Sequence, residues 1–200
     1  MHPNAAFRHG DRNLLETLIE QIGFGMVFAD TPDGPRVAHV PLLSTGDGAV
    51  QFHLARGNAL TRHLPGSRAL VVINGPDGYV SPRWYADPAQ VPTWNYVALE
   101  LEGRVRRIDA EALLALVTNL SDKHEARVSE GAPWTMAKLP PEGLRGLLAS
   151  IVGFELEVTA WRETVKLSQN KSADEIERVA NGLEREGSIA IAQLMRTLAQ

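Results

Sequence analysis

Between Gly25 and Val105, short apolar runs are cut again and again by clusters of turn-forming residues. Gly25 to Ala29, Arg36 to Pro41 and Val50 to Leu54 are separated by Thr31-Pro32-Asp33-Gly34-Pro35 and by Ser44-Thr45-Gly46-Asp47-Gly48. Runs this short, with Pro and Gly between them, cannot sustain helices. They read as strands of an antiparallel meander. Ala69 to Ile73 is continuously apolar, and Asn74-Gly75-Pro76-Asp77-Gly78 follows it. This predicts a central strand, buried on both faces, that the Asn-Gly-Pro cluster ends. Asn95 to Val105 alternates, with Val97, Leu99, Leu101 and Val105 facing one way and Glu100, Glu102 and Arg104 the other. Phe154, Leu156 and Val158 alternate with Glu155 and Glu157 in the same manner.

Helical periodicity frames these strands. Leu14, Leu15, Leu18, Ile19 and Ile22 share one helical face behind Asp11, a good N-cap, and Gly23 is a natural stop. Asp109 caps a second helix with Leu113, Leu116, Val117 and Leu120 on its apolar face. A short third helix runs through Leu144, Leu147 and Leu148. Ser172 and Glu175 have capping-box spacing ahead of Ile176, Val179, Ala180 and Leu183, and Ser188 caps a last helix through Ile191, Leu194, Met195 and Leu198. The expected fold is therefore mainly β with helices (α+β): six or seven strands in a closed or partly closed antiparallel barrel. Residues 1–170 form its body. Residues 171–200 form a helical tail packed on the barrel or on a partner subunit.

Composition narrows the chemistry. A net charge of −4 argues against a broadly basic nucleic-acid surface. There is no cysteine, hence no disulfide, thiolate metal site or cysteine nucleophile. No apolar run reaches the ~18 residues of a membrane span, and Met1 to Gly10 lacks the apolar stretch of a secretory signal, so a cytoplasmic protein is expected. Phosphate-loop and dinucleotide fingerprints are missing. His53 and His63 are ten apart, His124-Glu125 stands outside any His-Glu-x-x-His pattern, and neither Ser81 nor Ser168 sits in a nucleophile elbow. No metal site is expected.

What stands out is a polar and aromatic concentration in three strings: His53-Leu54-Ala55-Arg56-Gly57-Asn58, Tyr79-Val80-Ser81-Pro82-Arg83-Trp84-Tyr85 and Val91-Pro92-Thr93-Trp94-Asn95-Tyr96. Singly, such aromatics are usually core residues. Together, Arg56, Asn58, Ser81, Thr93 and Asn95 also need hydrogen-bond partners wherever they are buried. An arginine at a strand end with Asn two residues on suits a phosphate, and flat aromatics suit a planar ligand. Lys166-Leu167-Ser168-Gln169-Asn170 adds a cation and amides after the last strand.

On these four strings, with Phe24-Gly25, Ala38-His39-Val40-Pro41, Gly75-Pro76 and Ile151-Val152-Gly153-Phe154-Glu155, the chain resembles the PaiB-like proteins, described as FMN-binding negative transcriptional regulators of the FMN-binding split-barrel superfamily. The resemblance runs nearly end to end. It implies a six-stranded split barrel that dimerises and holds FMN in clefts at the subunit interface. By the same resemblance Arg56 and Asn58, with His53 beside them, hold the cofactor phosphate. Tyr79, Ser81 and Trp84 line the next wall. Thr93, Trp94 and Asn95 border the ribityl chain or ring, and Lys166 and Gln169 reach in from the partner. Two departures stand out: Arg83 where the family often has Ser, and a short, acid-bearing stretch from Ala86 to Gln90.

Three functions compete. One is a flavin-binding regulator, for which direct DNA contact rests on the family name alone, because Lys171, Arg178, Arg185 and Arg196 are offset by Asp174, Glu175, Glu177, Glu184 and Glu186. Another is an FMN-dependent oxidoreductase or flavin reductase acting on a small molecule, with His39, His53 and Tyr85 as equally weak proton-donor candidates. The third is a haem-binding split barrel.

Overall fold

The computed structural model describes residues 4–8, 10–87 and 89–198. Part of the Met1 to Gly10 run, and Pro88 within the Ala86 to Gln90 stretch, lie outside these. The elements in order are α1 (Arg12–Ile22), β1 (Phe24–Thr31), β2 (Gly34–Pro41), β3 (Leu43–Ser44), β4 (Ala49–Ala55), β5 (Arg68–Val80), β6 (Thr93–Arg107), α2 (Ala110–Glu125), α3 (Pro141–Ala149), β7 (Ile151–Lys166), α4 (Ala173–Arg185) and α5 (Ile189–Leu198), with short 3-10 turns at Ala5–Phe7, Pro82–Trp84 and Met136–Lys138. The seven strands follow the order β2-β1-β5-β6-β7-β4-β3.

This corrects the expectation of six strands and of barrel closure. The additional strand is Leu43–Ser44, at the edge of a turn cluster, where Leu43 pairs with Gln51 and Ser44 with Val50. The order has two free ends, β2 and β3. β2 comes close to β4 with no ladder between them, so the sheet bends toward closure without achieving it.

β5 is a second correction. Asn74-Gly75-Pro76-Asp77-Gly78 does not end the strand, which continues to Val80. Neither Gly75 nor Gly78 has the positive φ that a turn would require. Both answer to close packing instead: a Cβ on Gly75 would lie 2.9 Å from Cβ of Val97, and one on Gly78 2.6 Å from Leu183. Nor is Ala69 to Ile73 sealed on both faces. Ala69, Val71 and Ile73 are buried, whereas Leu70 and Val72 are half-exposed.

The chain divides into two compact units. One comprises Glu16–Ile73 and Glu100–Trp161. Its core centres on Phe52 and Phe154, register partners on β4 and β7 whose rings stack at 5.6 Å. A second cluster, Ile108, Leu113, Leu116 and Leu120, packs under α2 against Leu43, Leu148 and Ile151. Gly153 lets α2 descend, because a Cβ there would meet Ile108 at 2.6 Å. Asp109 caps α2 as read, its Oδ1 accepting from the Ala112 N–H at 2.9 Å.

The other unit comprises the described residues up to Leu15, Asn74–Leu99 and those from Arg162 on. Its core includes Val179, Ala180, Leu183, Ile191, Ala192 and Met195 of the helical hairpin α4–α5. Gly182 meets the Trp84 indole where a Cβ would come within 2.2 Å. Ser172 caps α4 through the Glu175 N–H. Glu175 Oε1 accepts from the Ala86 N–H at 3.0 Å, so this carboxylate ties a loop to the helix.

Candidate functional site

Within the first unit, β4 ends at Ala55 and the chain turns through Arg56, Gly57 and Asn58. Asn58 shapes the turn: its N–H donates to Ala55 O at 2.9 Å, its Oδ1 accepts from the Leu60 N–H at 2.9 Å, and its carbonyl accepts from the Thr61 N–H. Thr61 Oγ1 closes the loop onto Ala55 O at 2.9 Å. Arg56 is held from the other side. Its backbone N–H donates to Ser150 O, Nε to Ala149 O at 2.7 Å and Nη2 to Ile151 O at 3.3 Å. The bland role of Arg56 is thus to satisfy carbonyls at the end of α3. Its positive charge, however, meets no carboxylate among the described residues.

Two adjoining concavities open on this arginine. A polar cup of about 460 Å³ is lined by Arg56, Asn58, Thr61, Arg62 and Arg107, among others. A slot of about 690 Å³ shares Arg56, Arg107 and Val152 with the cup and continues over Ile108, Leu113, Leu148 and Ile151. Arg62 and Arg107 form no ion pair among the described residues, so the cup carries three guanidinium charges and no acid. Sequence reading missed Thr61, Arg62 and Arg107. The available signal was the Arg104-Val105-Arg106-Arg107 run at the end of β6, where Arg106 is claimed by Glu155 at 2.6 Å and Arg107 is left over.

His53 lines neither concavity. It pairs across the ladder with Gly153, it is half-buried, and its Nδ1 has no partner among the described residues. Burial holds its pKa below the ordinary imidazole value.

The other predicted residues lie in the second unit, where the Pro92-to-Tyr96 and Lys166-to-Asn170 strings interlock. Lys166 Nζ donates to Thr93 Oγ1 and, at 2.7 Å, to Trp94 O. Asn95 is fully buried, its Nδ2 donating to Ser168 Oγ at 2.9 Å and facing Met195 Sδ at 3.2 Å. Ser168 itself has φ of +62°, an uncommon conformation for a residue with a side chain. Gln169 is consumed by backbone: Nε2 donates to Val165 O at 2.6 Å and to Ala6 O at 3.0 Å, while Oε1 accepts from the Leu167 N–H.

Beside this lock lies a pocket of about 310 Å³ lined by Phe7, Tyr85, Gln90, Thr93, Lys166 and Lys171, among others. Burial depresses the Lys166 ammonium and raises the Tyr85 phenol. Lys171 donates to Gln90 at 2.8 Å and sits 5.2 Å over the Tyr85 ring. A larger cleft of about 680 Å³ is bordered by Tyr79, Ser81, Arg83, Trp84 and Ser188. Ser81 caps the short turn over Pro82–Trp84. Tyr79 and Trp94 meet edge to face at 6.0 Å, and Trp94 remains 53% exposed. The structure therefore gathers the predicted residues into two groups. His53, Arg56 and Asn58 lie in one unit, and Tyr79, Ser81, Trp84, Thr93, Trp94, Asn95, Lys166 and Gln169 in the other.

Residues 1–160 match the family described as "Putative FMN-binding domain". Protease synthase and sporulation protein PAI 2 of Bacillus subtilis is 30% identical over 172 residues, covering 84% of this chain and 82% of that protein. An uncharacterized protein of Aspergillus fumigatus is 28% identical over 159 residues, covering 70% of this chain and 60% of its own length. Among solved structures, the FAD and heme binding protein from Mycobacterium smegmatis superposes with a TM-score of 0.63 at 20% identity, covering 84% of this chain and 77% of that one. The flavocytochrome Anf3 from Azotobacter vinelandii gives 0.63 at 15%, covering 83% and 72%. At these identities the structures share the fold. The chain belongs to the FMN-binding-domain family.

Proposed function

We propose that this member of the FMN-binding-domain family binds FMN as a homodimer, with the cofactor phosphate in the Arg56 cup. The observation that carries the reading is the cup itself: three arginines without a carboxylate, joined by Asn58 and Thr61. A phosphate monoester brings roughly two negative charges and three acceptor oxygens, which suit guanidinium forks and a hydroxyl. FMN, when bound, supplies the electron-transfer chemistry, and the chain's residues bind and orient it. Asn95 and Gln169 are better read as structural. Tyr79 and Trp94 keep exposed ring faces.

Dimerisation is supported by one face of the sheet. Phe24, Met26 and Phe28 of β1 stand opposite Pro41, His39 and Val37 of β2, and Val72 and Leu70 of β5 continue the row. Phe24 is 51% and Val37 44% exposed. A contiguous apolar row of this kind marks an interaction surface. The helical tail is not read as a DNA-contacting element: Arg196 of α5 is claimed by Glu177 at 3.2 Å and Glu184 at 3.0 Å. Regulation of the PaiB kind would then run through the bound flavin.

The test is a titration of flavin-free protein with FMN, FAD and riboflavin, followed by flavin fluorescence quenching. FMN should bind at least tenfold more tightly than riboflavin, and equal affinities would remove the phosphate from the cup. In sedimentation, Phe28→Glu should convert a dimer to a monomer. A wild-type monomer would overturn the dimer reading.

A further inference from the structure

We propose that the apolar slot beside the arginine cup is a second ligand site, one that takes a small organic carboxylate with an apolar body. At about 690 Å³ the slot has the size of a small-molecule site. Its floor is aliphatic: Ile108, Leu113, Leu148, Ile151 and Val152. Its described lining includes no Ser, Thr, Asn, Gln or Tyr, so no neutral hydroxyl or amide side chain faces it. What it offers besides carbon is charge at the rim.

Three arginines and one acid share that rim. Asp109 is already engaged as the cap of α2, through the Ala112 N–H. Arg56 is fixed by the carbonyls of Ala149 and Ile151 and forms the wall toward the cup. Arg107 meets no acid among the described residues. Among the described residues Arg145 pairs with Glu142 alone, at 3.8 Å with both side chains largely in solvent, a contact of little energetic weight. The guanidinium fork matches a carboxylate in plane and charge, and the aliphatic floor desolvates whatever body the carboxylate carries. A neutral apolar molecule would leave the forks unused. A phosphate monoester finds more hydrogen-bonding partners in the cup, where Asn58 and Thr61 join the arginines. This proposal does not rest on flavin binding.

The experiment uses the full chain, with and without saturating FMN, and follows 8-anilinonaphthalene-1-sulfonate fluorescence as the probe of the slot. Octanoate should displace the probe, and octanol at the same concentration should not. Arg145→Ala should weaken octanoate about tenfold and leave FMN affinity unchanged. Because Arg145 is exposed, that variant keeps the fold. Leu148→Gln should abolish the probe signal, with circular dichroism confirming a folded protein. Equal competition by octanol, wild-type octanoate affinity in Arg145→Ala, absence of probe binding, or stoichiometric displacement of the probe by FMN would each overturn the proposal. A failed flavin reading shows differently: FMN does not bind, while the competition between probe and octanoate persists.

Discussion

The two units hold polar residues of similar chemistry and use them in opposite ways. In the second unit, Thr93, Trp94 and Asn95 meet Lys166, Ser168 and Gln169, and almost every donor and acceptor is spent on a neighbour. In the first, Arg56, Arg62 and Arg107 converge on one cup and no carboxylate among the described residues answers them. A buried network that satisfies itself fixes a conformation. A cluster of like charges repels itself and is worth keeping near solvent when an anion is to be bound there. The Pro92-to-Tyr96 and Lys166-to-Asn170 strings thus interlock, while Arg56, from a string equally plain in the sequence, and the less conspicuous Arg62 and Arg107 carry charge that no described carboxylate takes up.

The largest expected effect tests the unspent charge. Arg56→Ala should weaken FMN binding by about 2 kcal/mol, roughly thirtyfold, because a charge-assisted bond to phosphate is lost. Riboflavin, lacking the phosphate, should lose little. Isothermal titration of both ligands decides it. Equal losses would mean that Arg56 acts only by holding Ala149 and Ile151, and the contrast between the units would fall.

A smaller effect tests the lock. Asn95→Ala removes one of the partners of the buried Ser168 Oγ and should cost about 1 kcal/mol of stability. FMN affinity per folded molecule should not change. Urea unfolding with parallel FMN titration separates the two readouts. A stable variant that no longer binds FMN would make Asn95 a ligand residue and merge the two regions into one function.

Much of this fold was legible because its elements obey local rules. Asp109 before a leucine face, and the alternation from Val97 to Val105, needed no tertiary information. The Asn74 to Gly78 stretch misled because glycine signals both turns and close approach. Only Val97 and Leu183, distant in sequence, decide which applies. The third strand was hidden for a related reason. Leu43–Ser44 is too short to show a period and exists through its pairing with β4. In the site, Arg56 and Asn58 were legible from their place after an apolar strand. Arg107 was not, since only the structure shows that its neighbour Arg106 is the one that faces Glu155.

The smallest effect concerns pH, and it distinguishes the units by sign-matched windows. His53 has its pKa lowered by burial, so the unfolded chain binds more protons below the ordinary imidazole value of 6.5. Stability from this group is therefore whole above that value and declines as pH falls through the lowered folded pKa. Lys166 is likewise lowered by burial, from 10.5, and its window is alkaline. There the unfolded chain again holds the extra proton, so stability rises with pH between the folded and the unfolded pKa. His53→Phe should flatten the acid slope of the unfolding free energy and leave the alkaline one. Lys166→Met should do the reverse. Chemical denaturation at a series of pH values reads both slopes. An unchanged acid slope in His53→Phe would mean that the unpartnered Nδ1 is reached by water and that the first unit is more open beneath α2 than its burial indicates.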